Sequence, residues 1–202
     1  MEISVEKLMQ AGRAQPDGTK GDFNFYELTV QLKGLVKDEV MSRRIEFRNM
    51  YSPEVSVDEN VTISLASFQA KEMMEGIMIG WMQKIYSKQV AFNIQFNNYG
   101  GYPQKGIFLR VQDSGQLARL AQQLKIIDDY LQSNNCPGVK ISRHPHIVIA
   151  DCLSVRTYET ALHEYSRKSF TANYTVEQVL LVRKSWLEVE AKTINNFYLM
   201  PL

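Results

Sequence analysis

Thr62-Ile63-Ser64-Leu65-Ala66 and His146-Ile147-Val148-Ile149-Ala150 match position for position, as two copies of one strand pattern. Side chains of a strand point alternately to opposite faces, so Thr62 shares a face with Ser64, and His146 shares one with Val148. The first copy therefore shows two hydroxyls and no imidazole. The second shows an imidazole and no hydroxyl.

The elements around each copy repeat as well. Residues 61–68 read as a strand. A helix over 70–86 follows, with Met73, Ile77, Trp81 and Ile85 spaced by four. Then come alternating strands at 90–96 and 106–111, separated by a turn-rich loop, Asn97 to Lys105. In the second half, 139–150 reads as one strand. Ser154 caps a helix carrying Tyr158, Ala161, Leu162 and Tyr165, and strands at 175–184 and 188–200 close the chain. Between the halves, Leu117, Leu120, Ala121, Leu124, Ile127 and Leu131 form a helical stripe behind a Ser114 cap. Phe23 to Leu32 is a strand and Val36 to Asn49 a charged helix. Before them, Val5 to Ala14 reads as a short helix and Gln15 to Asp22 as a connector. Two halves of order strand–helix–strand–strand, each led by its motif strand, predict a pseudo-twofold arrangement with both motifs facing one cleft.

Composition bounds the function. The 202 residues suffice for one large domain or a two-lobed unit. A formal net charge of +1 supplies no field for an electrostatically driven nucleic-acid binder, and no DNA partner is expected. Arg43-Arg44 with Arg48, and Arg167-Lys168, read as solvated faces. Cys136 and Cys152 are too few for a disulfide framework or a four-cysteine zinc site. The most apolar window, Met73 to Met82, is too short to span a bilayer. Met1-Glu2 opens a polar, acidic stretch, so the expected location is the cytoplasm with no membrane partner.

The segment Arg143-His144-Pro145-His146-Ile147-Val148-Ile149-Ala150 resembles the HPHxTIA strand of the two-histidine phosphoesterases, the group of 2′-5′ RNA ligases and cyclic nucleotide phosphodiesterases, with valine in the threonine place. Gly101 to Val111 resembles the family's loop and strand between the motifs. Val179 to Ser185 and Phe197 to Leu202 resemble its C-terminal hairpin. The resemblance implies an α+β, bilobal fold: two antiparallel sheets with pseudo-twofold symmetry around a central cleft and helices on the outer faces. It covers residues 23–202 as a single 2′-5′ RNA ligase-like domain and leaves 1–22 as an N-terminal extension.

In the family pattern one imidazole is the general base, the other protonates the leaving oxygen, and hydroxyls donate to the phosphoryl oxygens; neither metal nor cofactor is required. Here Thr62 stands at the first histidine place and Ser64 at its hydroxyl place. A register with Asn60 and Thr62 in those places fits less well, and neither restores a histidine. Losing a positioned acid or base costs roughly 10²- to 10⁴-fold. The candidate catalytic residues are His146, Ser64 and Thr62. Candidate ligand contacts are Tyr102 and Lys105 in the loop, His144 on the face of His146, and Arg183 at the cleft edge. The third histidine, His163, reads as helix surface, and His144, His146, Asp151 and Cys152 match no known zinc spacing. Three readings stay open: a degenerate member binding a nucleotide, cyclic phosphate or RNA end with little turnover; an enzyme with altered chemistry using His146; or a protein-interaction domain with a vestigial cleft. The oligomeric state is left open.

Overall fold

The two motif strands lie in different sheets. A computed structural model describes residues 23–51, 57–103, 106–184 and 191–202. The expected N-terminal helix and connector, Lys105, and the start of the last expected strand lie outside them. Strands β1 (Asn24–Gln31), β2 (Thr62–Ala70), β5 (Lys140–Ile141), β8 (Gln178–Lys184) and β9 (Lys192–Tyr198) form a five-stranded sheet of order β5-β2-β1-β8-β9. Strands β3 (Phe92–Tyr102), β4 (Gly106–Val111), β6 (His146–Ala150) and β7 (Thr171–Val176) form a four-stranded sheet of order β6-β4-β3-β7. All ladders within the sheets are antiparallel.

Both sheets follow one plan: the motif strand, the strand preceding its helix, then strands delivered across the molecule. β2-β1-β8-β9 matches β6-β4-β3-β7. The match extends to a defect. In the β1–β2 ladder Thr29 pairs with Ser64 and Leu28 with Ala66, which leaves Leu65 as an extra residue. In the β4–β6 ladder Phe108 pairs with Val148 and Ile107 with Ala150, which leaves Ile149 extra. A β-bulge thus occupies the fourth motif position in both copies. Bulges re-aim side chains locally, so the shared defect aligns Thr62 with His146 and Ser64 with Val148.

Helix α1 (Gly34–Tyr51) packs on β6 and β7, α2 (Glu75–Tyr86) on β9, α3 (Gly115–Gln122) on β2 and β5, and α5 (Val155–Tyr165) on β3 and β4. One face of each sheet is consequently apolar and buried. Tyr26, Leu28, Val30, Ile63, Leu65 and Phe68 fill it in the larger sheet, and Tyr99, Ile107, Leu109, Ile147 and Ile149 in the smaller. Among the described residues no helix is long and apolar enough to cross a membrane.

Several expectations are corrected. Residues 139–150 are not one strand. Lys140–Ile141 pairs with β2, the turn at 142–145 crosses between sheets, and His146–Ala150 pairs with β4. Pro145 lacks an N–H for a ladder, which suits the crossing. The expected strand 175–184 divides in the same way at Glu177, between β7 and β8. The central helical stripe is buried as expected, but it spans two helices, α3 and α4 (Lys125–Ser133). Ser114 holds the first cap position without a side-chain bond; Asp113 Oδ1 accepts the Gly115 N–H instead, at 2.9 Å. On α2 the buried stripe is Met78, Met82 and Tyr86, continuing from Met74, whereas Met73 and Ile77 are exposed. Both stripes repeat every four residues along a largely apolar helix, and periodicity alone cannot choose between neighbours. Ser154 does cap α5, its hydroxyl accepting from the Thr157 N–H.

Candidate functional site

The faces opposite the helices carry the motif side chains. On β2, Thr62 and Ser64 are half-buried and alternate with the buried Ile63 and Leu65. Their cross-strand partners are Gln31 and Thr29. On β6, His146 is half-buried and Val148 exposed, alternating with the buried Ile147 and Ile149, and their partners are Arg110 and Phe108. β2 and β6 run close enough to bring Cα atoms within 8 Å. The strand bearing the hydroxyls and the strand bearing the imidazole, the hydroxyl wall and the imidazole wall, therefore run close to each other.

His146 is held from three sides. Its Nδ1 lies 2.7 Å from the carbonyl oxygen of His144. A carbonyl only accepts, so Nδ1 carries the proton of that bond, and Nε2 is the nitrogen left for other chemistry. The ring packs 4.7 Å from Phe108 and 5.2 Å from Tyr102, and those two rings stand 4.7 Å apart. His144 itself lies in the turn ahead of β6, exposed, so it serves through its main chain and does not share a strand face with His146.

Tyr102, expected in the loop, is the last residue of β3 and pairs with Gly106. Asn97 to Tyr102, expected as loop, is the second half of β3, bulged at Asn98, whose φ is 57°. The two glycines that suggested a turn make room for rings instead. A Cβ on Gly100 would fall 2.6 Å from the Phe108 ring, and one on Gly101 2.7 Å from the Tyr158 hydroxyl. Glycine inside a strand marks such close approach as readily as a turn.

Arg183 is placed elsewhere. It pairs across the ladder with Tyr26, on the face of the five-stranded sheet opposite Thr62 and Ser64. Its Nη1 lies 2.9 Å from both Glu72 and Glu75, and Tyr26 donates to the same Glu75 at 2.8 Å. Burial pulls its pKa down, but the paired carboxylates outweigh that pull and raise it. It closes the start of α2 onto the sheet. Asp151 and Cys152 follow β6, and among the described residues no three His, Cys, Asp or Glu side chains gather as a metal site. His163 is on exposed helix surface, its Nε2 accepting from Arg167 at 3.1 Å.

Two residues went unread in the sequence, and a third was read differently. Arg110 stands directly across from His146, and its signal was the alternation Phe108-Leu109-Arg110 on the strand beside the motif. Thr29 is 3% exposed, and its hydroxyl finds no hydrogen-bond partner among the described residues. Arg44, expected on a solvated face, is 8% exposed. Its Nε donates to the Val148 carbonyl at 3.0 Å, and its Nη1 to the carbonyls of Asp58 and Asn60 at 2.7 and 3.0 Å. Burial lowers its pKa, offset in part by Asp58 and Asp151. Lys168 is likewise engaged, 2.8 Å from both Glu46 and Glu164.

No protein-family model matches the chain, and no curated protein matches it by sequence. Solved structures do match its fold. Escherichia coli LigT complexed with 3′-AMP superposes with a TM-score of 0.60 at 16% identity, over 89% of this chain and 99% of that one. A protein described as a phosphoesterase gives 0.60 at 15%, over 88% and 99%. TT0787 of Thermus thermophilus gives 0.63 at 16%, over 88% and 98%. LigT has also been solved complexed with ATP.

Proposed function

We propose, from the premise that this chain has the two-histidine phosphoesterase fold, that its cleft binds the phosphate of a nucleotide, cyclic phosphate or RNA end with little or no turnover. The observation carrying this reading is the shared bulge, which puts Thr62 at the position symmetric to His146. A phosphoryl transfer run by one acid and one base then has only one proton-transfer group. A threonine hydroxyl donates a hydrogen bond but is no base near neutral pH.

Each wall keeps a role in binding. Nε2 of His146 faces the ligand, and protonated it would donate a charge-assisted bond to a phosphate oxygen. Arg110 beside it adds a fixed positive charge with a planar fork suited to phosphate. Thr62 and Ser64 donate from the opposite wall. Tyr102, next to His146, offers an aromatic surface to a base, and Lys105, three residues later in the sequence, is a further candidate phosphate contact. Arg183 takes no part. The nucleotides held by LigT support a phosphate-bearing ligand.

The test pairs calorimetry with an assay: 3′-AMP and inorganic phosphate titrated into wild type, His146→Ala and Ser64→Ala, beside hydrolysis of 2′,3′-cyclic AMP. Binding by wild type, weakened in both variants and without product, is expected. Product formation that His146→Ala abolishes would make the protein a phosphodiesterase working with one histidine. Absence of both binding and turnover would leave an interaction domain.

A further inference from the structure

Arg44 touches the lead-in to one motif strand and the middle of the other. Its Nη1 bonds the carbonyls of Asp58 and Asn60, the latter two residues before Thr62. Its Nε bonds the carbonyl of Val148, two residues after His146 on the same strand. The side chain comes from α1, which packs on β6. All three acceptors are main-chain oxygens, and no carboxylate lies within ion-pair distance among the described residues.

This arrangement is unusual for a buried arginine serving only stability. Buried charge normally sits against an opposite charge, as Arg183 does between Glu72 and Glu75. Arg44 spends its directional donors on the segment leading into a strand of one sheet and on a strand of the other. Guanidinium donors are fixed in one plane, so the three bonds set where the start of β2 lies relative to β6.

We infer that Arg44 is a positioning residue: it holds the hydroxyl wall and the imidazole wall at the separation that lets both reach one phosphate. This rests on the proposed function above and adds to it the device that sets the width of the cleft. Lysine cannot replace it, because a single ammonium cannot span the same acceptors in one plane.

The experiment compares Arg44 with Arg183, both buried. Arg44→Met, Arg44→Lys and, as a control, Arg183→Met are made in full-length protein. Binding of 3′-AMP is measured well below each variant's melting temperature. In parallel, spin labels on the native exposed Cys152, just after β6, and on an introduced Glu59→Cys, just before β2, report the distance between the walls. Both methionine variants should melt earlier than wild type. Only the Arg44 variants should broaden the label distance and weaken 3′-AMP, by about tenfold. An unchanged label distance, or equal loss of binding in Arg44→Met and Arg183→Met, overturns the inference while leaving the binding function standing. Wild-type protein that ignores 3′-AMP overturns both.

Discussion

Laid over each other through their bulges, the two motif walls differ at every facing position. Gln31 and Thr62 on one side correspond to Arg110 and His146 on the other, and Thr29 and Ser64 correspond to Phe108 and Val148. The scaffold, including its irregularity, is duplicated; the chemistry is not. One wall is neutral and hydroxyl-rich, and the other is cationic and aromatic. Backbone geometry is tied to core packing on the helix-covered face, where Ile63 and Leu65 match Ile147 and Ile149, all buried. The opposite face carries less of that constraint, although Thr29 is buried there, so its side chains can differ while the strand keeps its shape.

The largest expected effect comes from making the walls alike. Thr62→His combined with Val148→Thr should raise turnover of a 2′,3′-cyclic nucleotide by about 10²-fold or more, the contribution of a positioned acid or base. A double variant that binds but stays as slow as wild type would show that matching bulges do not give matching reach. Gly100→Ala should cost about 1–3 kcal/mol in a urea melt, because the new methyl overpacks against the Phe108 ring. It should also disturb the His146 ring resonances, since Phe108 supports that ring. Wild-type stability with an unmoved ring would show that Phe108 does not support His146.

His146→Ala should weaken 3′-AMP by about tenfold, as loss of a charge-assisted bond does, and Thr62→Ala by only a few-fold. Equal effects would erase the distinction between a charged and a neutral wall. The smallest change is Thr29→Val. Removing a buried hydroxyl that lacks a partner should raise stability by about 1 kcal/mol. A lowered melting temperature would mean that the hydroxyl is satisfied.

The sequence was most legible where one residue type has one use. Leu117, Leu120, Ala121, Leu124, Ile127 and Leu131 are all buried, as their spacing requires. It was least legible where a residue type serves two purposes. Glycine and asparagine from Asn97 to Gly101 mark turns elsewhere; here they sit within a strand because a bulge and two close ring approaches need them. Arg44 stands in a charged stretch that resembles solvated surface, and Arg183 at a place expected at the cleft edge; only their partners show the first to be buried and the second to close α2 onto the sheet.

Local pattern alone thus determined the twin motif strands, most of the elements around them, and that only one of the two carries an imidazole, because alternation and residue identity are carried by neighbours in the chain. Tertiary structure decided the rest: where 139–150 and 175–184 break to change sheets, which nitrogen of His146 is left open, that Arg110 stands across from it, and that Arg44 joins the walls while Arg183 lies behind them. Those outcomes depend on ladder pairing and burial between residues far apart in sequence, and no short-range signal encodes them.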